Sequence, residues 1–194
     1  PDHAGTTPMN MRADALVAAA DVIKQIYRLA SQSEAGTVAT VGKLLVSPGA
    51  GNIVPGKATF SVDIRSDNAT DIQQLGEAIK EFLFSLAQEY PGILTRMSPV
   101  LSIDPTPLSS CILQIFEEEA GIVGITSRRM RSGAGHDAMV MASLTEVGLV
   151  FVPSRDGRSH CPEEWTDYYK LKKGVDLVLK AALRLAVTDY SCCD

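Results

Sequence analysis

The sequence lacks the long apolar runs and the excess positive charge that mark membrane and nucleic-acid-binding proteins. No run approaches the roughly 20 apolar residues that cross a bilayer, and no basic-then-apolar signal pattern opens the chain. The formal net charge of −5 argues against a phosphate-backbone partner. We therefore expect a cytoplasmic protein with no membrane partner and no nucleic-acid partner.

Cysteine is scarce, and the best-known catalytic motifs are absent. The four cysteines show no C-x-x-C spacing, and adjacent Cys192 and Cys193 would close only a strained ring, so we expect reduced thiols. The sequence contains no H-E-x-x-H, no phosphate-binding glycine loop and no G-x-S-x-G. These absences argue against a zinc site on a single helix, a nucleotide-binding loop and a serine hydrolase.

The composition that is present is that of a globular protein, since 45% hydrophobic residues among 194 can form one large or two small cores. Residues 14–30 and the segment after the N-cap candidate Asn68 have apolar residues at helical spacing. Residues 37–46 are apolar and β-branched, and residues 57–65 alternate strictly, so both predict strands. A third strand is predicted at residues 93–101.

The order helix, strand, strand, helix, strand matches a split βαβ, ferredoxin-like unit that lacks its first strand. We expect that strand upstream of Pro1, so the chain is predicted to be a fragment of a longer protein. The segment Asp104-Pro-Thr-Pro107 predicts a hinge, because each proline biases its predecessor toward extended geometry. Beyond the hinge we predict further α/β structure. Its helices and one buried strand are expected at residues 109–120, 137–144, 148–152 and 167–187.

All three histidines lie in turn-forming segments, where functional side chains concentrate, although a loop histidine can also be an incidental surface residue. His3 precedes a Gly-Thr-Thr-Pro turn, His136 follows Gly-Ala-Gly, and His160 lies between Asp-Gly and Pro. Zinc takes about four ligands. The spacing alone leaves His160 either as one metal ligand with partners elsewhere or as a turn histidine bonded to solvent.

Three other positions have a functional and a structural interpretation. The small residues of Ser132-Gly-Ala-Gly135 would let a ligand approach the backbone beside His136. Arg65 could bind a substrate carboxylate in two-pronged fashion or form a surface ion pair with Asp63 or Asp67. Asn52 could bind a ligand or form an ordinary turn.

Taken together, four segments resemble those of the hydantoinase/carbamoylase family amidases, in the same order. This family includes N-carbamoyl-L-amino acid, allantoate and ureidoglycolate amidohydrolases, within the larger aminoacylase and zinc-carboxypeptidase group. The segments extend over nearly the whole chain. They are His3-Ala-Gly-Thr-Thr-Pro-Met9 with Arg12 and Asp14, Gly51-Asn-Ile-Val-Pro-Gly56 leading to Val62-Asp-Ile-Arg65, Ser132-Gly-Ala-Gly-His-Asp-Ala138, and Gly157-Arg-Ser-His-Cys-Pro-Glu-Glu164.

The resemblance implies a ferredoxin-like lid that also dimerises at residues 1–104, and the C-terminal part of a zinc-peptidase-like α/β catalytic domain at residues 105–194. It implies that His160 binds one of two divalent metal ions, of zinc, manganese, cobalt or nickel, and that His3 reaches the substrate carbonyl, often that of the partner subunit. The remaining implied roles concern the substrate. Asn52 and Arg65 would hold its carboxylate, and Gly133, Ala134, Gly135 and His136 would line its pocket.

The function implied is metal-dependent hydrolysis of a linear C–N bond in an N-carbamoyl amino acid, allantoate or a related ureido acid, with release of ammonia. The partner implied is thus a small-molecule substrate. In this family a water between the metals attacks the carbon and a glutamate carries the proton. The other metal ligands and that glutamate belong to a segment absent here, so the chain alone is expected to be inactive. Two alternatives stay open: an inert dimerisation or ligand-binding module, and an aminoacylase or peptidase.

Overall fold

The computed structural model describes residues 1–187, so Cys192 and Cys193 lie outside the described residues. The chain divides into two compact units, Pro1–Pro105 and Thr106–Asp194. Within residues 1–187, no helix is long and apolar enough to cross a membrane. The functions predicted for the two parts of the chain stay predictions.

The first unit contains two helices and two small antiparallel sheets. Its strands are β1 (Asp2–His3), β2 (Val38–Ser47), β3 (Ile53–Val54) and β4 (Lys57–Arg65), and its helices are α1 (Ala15–Gln32) and α2 (Ala69–Glu89). Strand β2 pairs with β4 along its length, with an irregularity between Val41 and Lys43, and β1 pairs with β3. A short 3-10 helix, Met9–Met11, precedes α1.

Both helices of the first unit begin at a side-chain cap. The Asp14 carboxylate accepts hydrogen bonds from the amides of Leu16 and Val17 at 2.9 and 3.2 Å. The Asn68 side chain accepts one from the amide of Thr70 at 2.9 Å. Each cap satisfies amides that have no partner within the first turn. The predicted N-cap at Asn68 is confirmed.

The core of the first unit lies between the helices and one face of the β2–β4 sheet. Side chains of α1 and α2 are buried there against the alternate, partly buried residues of β4. The polar residues of β4 are exposed on the opposite face, which confirms the predicted alternation. The fully buried positions that define this core are Ala18, Val22, Ile26, Leu75, Ile79 and Leu86.

The second unit is helical, with extended segments between its helices. It contains α3 (Ser110–Ile122), α4 (Asp137–Met141) and α5 (Tyr168–Val187), and α3 packs against α5. Residues 148–152 lie close to both. A Cβ at Gly148 would fall 2.4 Å from Ile112 of α3, and one at Gly174 of α5 would fall 2.5 Å from Val152.

Two predicted strands are wrong. Residues 93–101 and 148–152 have no regular secondary structure, and no strand within residues 1–187 pairs with them. A β-type sequence becomes a strand only when a neighbour takes its amide and carbonyl hydrogen bonds. The predicted helix at 137–144 is also shorter and ends at Met141.

The expectation of four reduced cysteines is wrong for one of them. Cys161 has a free thiol and is partly buried. Cys111, in the first turn of α3, is disulfide-bonded. The interpretation of Cys161 as a packed thiol therefore agrees with the structure, whereas that of Cys111 as a free thiol does not.

Candidate functional site

His3 and Asn52 are brought together by the short β1–β3 ribbon. Strand β1 is antiparallel to β3, with His3 opposite Ile53, and the amide of Ala4 donates a hydrogen bond to the carbonyl oxygen of Asn52 at 2.9 Å. Both side chains are exposed. The hydrogen bond joins positions 48 residues apart in sequence, and it brings together the backbone segments that carry two of the predicted site residues.

The loop that follows His3 is held by the guanidinium group of Arg12, which is partly buried. Arg12 Nη2 donates to the carbonyl oxygen of Ala4 at 2.6 Å, and Nε donates to that of Thr7 at 2.9 Å. The carbonyl oxygen of His3 accepts from the amides of Thr6 and Thr7. Arg12 therefore has a structural role that its position in the motif did not specify.

Arg65 lies at the end of β4 and forms the ion pair with Asp63 that the sequence allowed. Its Nη2 is 2.7 Å from the Asp63 carboxylate, and both side chains are about half exposed, at 50% and 55%. The hydrogen bond from Arg65 lowers the pKa of Asp63, and the same contact raises the pKa of Arg65. The Arg65 guanidinium group can therefore bind a carboxylate at this position, and it could bind the carboxylate of a substrate through the same kind of hydrogen bond.

Arg65 and the His3–Asn52 ribbon lie at opposite ends of β4. The ribbon adjoins the start of the strand, where the amide of Gly56 donates to Ser47 and Ser47 pairs with Lys57. The nine residues of β4 span about 26 Å at roughly 3.3 Å per residue. Arg65 and the start of β4 are therefore far apart along this strand.

In the second unit, the Ser132-to-His136 loop holds its imidazole by two contacts. Ser132 Oγ lies 2.8 Å from His136 Nε2 and accepts the amide of Ala134 at 3.2 Å. The His136 ring meets Phe151 edge to face, with centroids 5.5 Å apart. A Cβ added at Gly133 or Gly135 would meet no atom within 4 Å, so the backbone here is open to a ligand.

His160 is exposed and has a backbone conformation that is unusual for a residue with a side chain. Its φ is 58°, and its amide donates to the Glu164 carboxylate at 2.8 Å. The turn is closed by the amide of Arg155, which donates to the carbonyl oxygen of Trp165 at 2.7 Å. Non-glycine residues in this region store strain that the surrounding turn must balance, and such strain is common at functional sites.

The described residues do not make a metal site by themselves. No group of three His, Cys, Asp or Glu side chains within residues 1–187 could hold a metal ion. His160 could supply one ligand, but zinc takes about four.

The sequence did not predict the contacts that hold the three histidines. The amide of Gly5 donates to His3 Nδ1, Phe151 packs against His136, and Glu164 binds the backbone of His160. The glycine two residues after His3 was the only available signal for the first contact. The other two depend on loop geometry that no spacing rule specifies.

Comparison with known proteins identifies the family. The sequence profile of peptidase family M20/M25/M40 matches residues 36–184. The chain belongs to this family. The match begins before β2 and ends within α5, so it extends over both units.

Relatives of this M20 chain have similar names. An N-carbamoyl-L-amino-acid amidohydrolase of Paenarthrobacter aurescens is 44% identical over 179 residues, which are 92% of this chain and 43% of that protein. An allantoate amidohydrolase of Escherichia coli K12 is 31% identical and is matched over 95% of this chain and 45% of its own length. The chain therefore spans less than half the length of these relatives.

Solved structures agree with the sequence comparison. A hydantoinase/carbamoylase family amidase from Burkholderia vietnamiensis superposes with a TM-score of 0.88 at 31% identity, over 96% of this chain and 45% of that one. The crystal structure of AtUAH in complex with glyoxylate gives 0.88 at 28% identity, over 96% and 44%. The predicted resemblance to hydantoinase/carbamoylase amidases and the mixed α/β fold of the M20 type are confirmed.

Proposed function

We propose that the intact protein is an amidohydrolase that cleaves a linear, non-peptide C–N bond in an N-carbamoyl amino acid, allantoate or a related ureido acid and releases ammonia. The observation that carries this proposal is the 44% identity to a relative named N-carbamoyl-L-amino-acid amidohydrolase. The allantoate amidohydrolases among the relatives support the wider ureido class. The chain covers less than half of each relative, so the activity is proposed for the intact protein.

The proposed roles of the chain's own residues are binding and polarisation. Arg65 and Asn52 bind the substrate carboxylate, and His3 donates a hydrogen bond to the substrate carbonyl oxygen. His136 and the open backbone of residues 133–135 line the substrate pocket. Exposure of His3, Asn52 and the glycines supports these roles, because a substrate can reach them.

We further propose that His160 supplies one ligand of a two-metal site. Members of this family generally use divalent metal ions, and zinc, manganese, cobalt and nickel all accept imidazole. The strained, exposed position of His160 supports the proposal. The other ligands and the proton-carrying glutamate come, on this proposal, from the part of the relatives' length that this chain does not span.

The first unit is proposed to be a ferredoxin-like lid that lacks one strand. Strands β2 and β4 with helices α1 and α2 supply most of such a unit, and residues 93–101 belong to no sheet in the described chain. A strand from the part of the relatives' length that this chain does not span, paired with residues 93–101, would complete it. Hydrogen exchange in the intact protein tests this, since the amides of residues 93–101 should be protected.

The lid is also proposed to form a homodimer that shares its substrate sites. About 26 Å of β4 separates Arg65 from Asn52 and His3. Two copies related by a two-fold axis can place Arg65 of one copy beside Asn52 and His3 of the other. The separation along β4 supports this arrangement, because it keeps Arg65 of one copy apart from the other residues that are proposed to bind the same substrate.

A substrate panel tests the proposed reaction. The intact protein, loaded with Zn²⁺, Mn²⁺, Co²⁺ or Ni²⁺ in turn, is given N-carbamoyl amino acids, allantoate, ureidoglycolate and N-acetyl amino acids. Ammonia release from the ureido acids and its loss on chelation are expected. Preference for N-acetyl substrates would instead favour the aminoacylase alternative, and no turnover with any metal would favour an inert module.

A further inference from the structure

The proton position on the His3 imidazole is decided by a backbone contact. The amide nitrogen of Gly5 lies 3.0 Å from His3 Nδ1. A backbone N–H can only donate, so Nδ1 must be the acceptor. The neutral ring therefore carries its proton on Nε2, which makes Nε2 a hydrogen-bond donor.

A side chain at position 5 would press on the His3 ring. A Cβ there would fall 3.3 Å from His3 Cε1 and 3.5 Å from Nδ1, so the ring would have to move by a few tenths of an ångström. Not every glycine of the described chain is constrained in this way. A Cβ at Gly76, within α2, would meet no atom within 4 Å.

The loop that presents the Gly5 amide is itself fixed in place. The Arg12 guanidinium binds the carbonyl oxygens of Ala4 and Thr7, on either side of Gly5, at 2.6 and 2.9 Å. The Ala4 amide is bonded to Asn52. The Gly5 amide is therefore held in place before any substrate binds. A donor that is fixed in advance can orient the His3 ring with no free-energy cost of reorganisation during the reaction.

We infer that Gly5 is a positioning residue for His3: its amide selects the Nε2–H tautomer and directs that donor toward the substrate carbonyl oxygen. The inference rests on the proposed role of His3 in ureido hydrolysis. Negative charge grows on the carbonyl oxygen when the carbon is attacked, so only a donor is useful at that point. The opposite tautomer would present a lone pair to that charge and would repel it.

Two readouts on the intact protein test this inference. Two-bond proton–nitrogen correlations of ¹⁵N-labelled histidine, assigned to His3 by their loss in His3→Gln, report the tautomer directly. The native protein is expected to show Nε2–H. In Gly5→Ala the signal should shift toward a mixture, kcat should fall about tenfold and KM should change by less than about twofold. Gly76→Ala is the matched control and should leave tautomer and kinetics unchanged.

Several outcomes would overturn the inference. They are an Nδ1–H signal in the native protein, or native tautomer and kcat in Gly5→Ala. If Gly5→Ala unfolds, Nδ1-methylhistidine at position 3 replaces it, because the methyl group blocks the contact and leaves Nε2 without a proton. Retained kcat in that protein contradicts the inference. An unchanged kcat in His3→Ala would refute the proposed role of His3, whereas the tautomer signal tests the Gly5 contact separately.

Discussion

At the scale of single residues, His160 combines an exposed imidazole with a left-handed backbone. Its φ of 58° places it where residues with a Cβ cost about 1–2 kcal/mol. The Glu164 carboxylate, which accepts the His160 amide, holds this conformation. Glycine would adopt it without that cost, so a histidine here indicates that the side chain, rather than the backbone, is needed.

Two substitutions of His160 should therefore differ in stability but not in activity. We expect His160→Gly to be more stable than His160→Ala by about 1 kcal/mol, because only alanine keeps the strain. Both variants should lose ureido hydrolysis. Urea denaturation and ammonia release measure the two effects.

The same pair of substitutions at Arg158 is the control. Arg158, in the same turn, has an ordinary φ of −78°, so glycine there should be the less stable replacement. If His160→Gly is also less stable than His160→Ala, the backbone at position 160 is not strained.

Residue identities could be predicted further than residue geometry. The loops that carry His3, His136 and His160 follow from glycine and proline spacing. The proximity of His3 to Asn52 could not be predicted, because it depends on a ribbon between strands of two residues each. The ion pair of Arg65 with Asp63 was one of two open alternatives, and only coordinates could choose between them.

At the scale of elements, local signals specified helices well and strands poorly. Asp14 and Asn68 cap α1 and α2 through contacts within three residues, so these helix starts can be predicted from the local sequence alone. Strand β4 was predicted because its alternation matches one buried face. Residues 93–101 and 148–152 have similar local sequences but no pairing partner in the described chain, and pairing is not a local property.

Removing the cap of α2 should weaken the first unit measurably. Asn68→Ala deletes the acceptor for the amide of Thr70, and we expect a loss of about 1 kcal/mol in the free energy of unfolding. Chemical denaturation of the intact protein measures it. Asn10→Ala, in the exposed 3-10 helix, is the control and should change stability by less than about 0.5 kcal/mol. Equal losses in both variants would contradict the cap's contribution.

At the scale of the whole molecule, α5 presents an apolar face with little cover in the described chain. Val175, Val178 and Leu179 are 59%, 45% and 57% exposed, and they border a shallow apolar hollow with Val150 and Val152. Soluble proteins rarely leave contiguous apolar surface of this kind open. The lengths of the relatives, more than twice that of this chain, leave ample sequence to cover it.

The 194-residue chain alone should therefore associate nonspecifically. We expect size-exclusion chromatography to show aggregates and thermal unfolding to be broad, because the α5 face and unpaired extended segments stay open. Val178→Asp should reduce the aggregation, whereas Lys180→Asp, on the same helix, should not. A monodisperse chain with a sharp transition would contradict this expectation.

The proposal that two copies share each substrate site can be tested directly with a pair of inactive variants. His3→Ala and Arg65→Ala variants of the intact protein are co-expressed with different tags, and ammonia release from an N-carbamoyl amino acid is measured on the mixture. Random pairing makes half of the dimers mixed, and each mixed dimer keeps one of its two sites intact. We predict about one quarter of native activity from two variants that are each inactive alone. No recovery in purified mixed dimers would contradict the shared site.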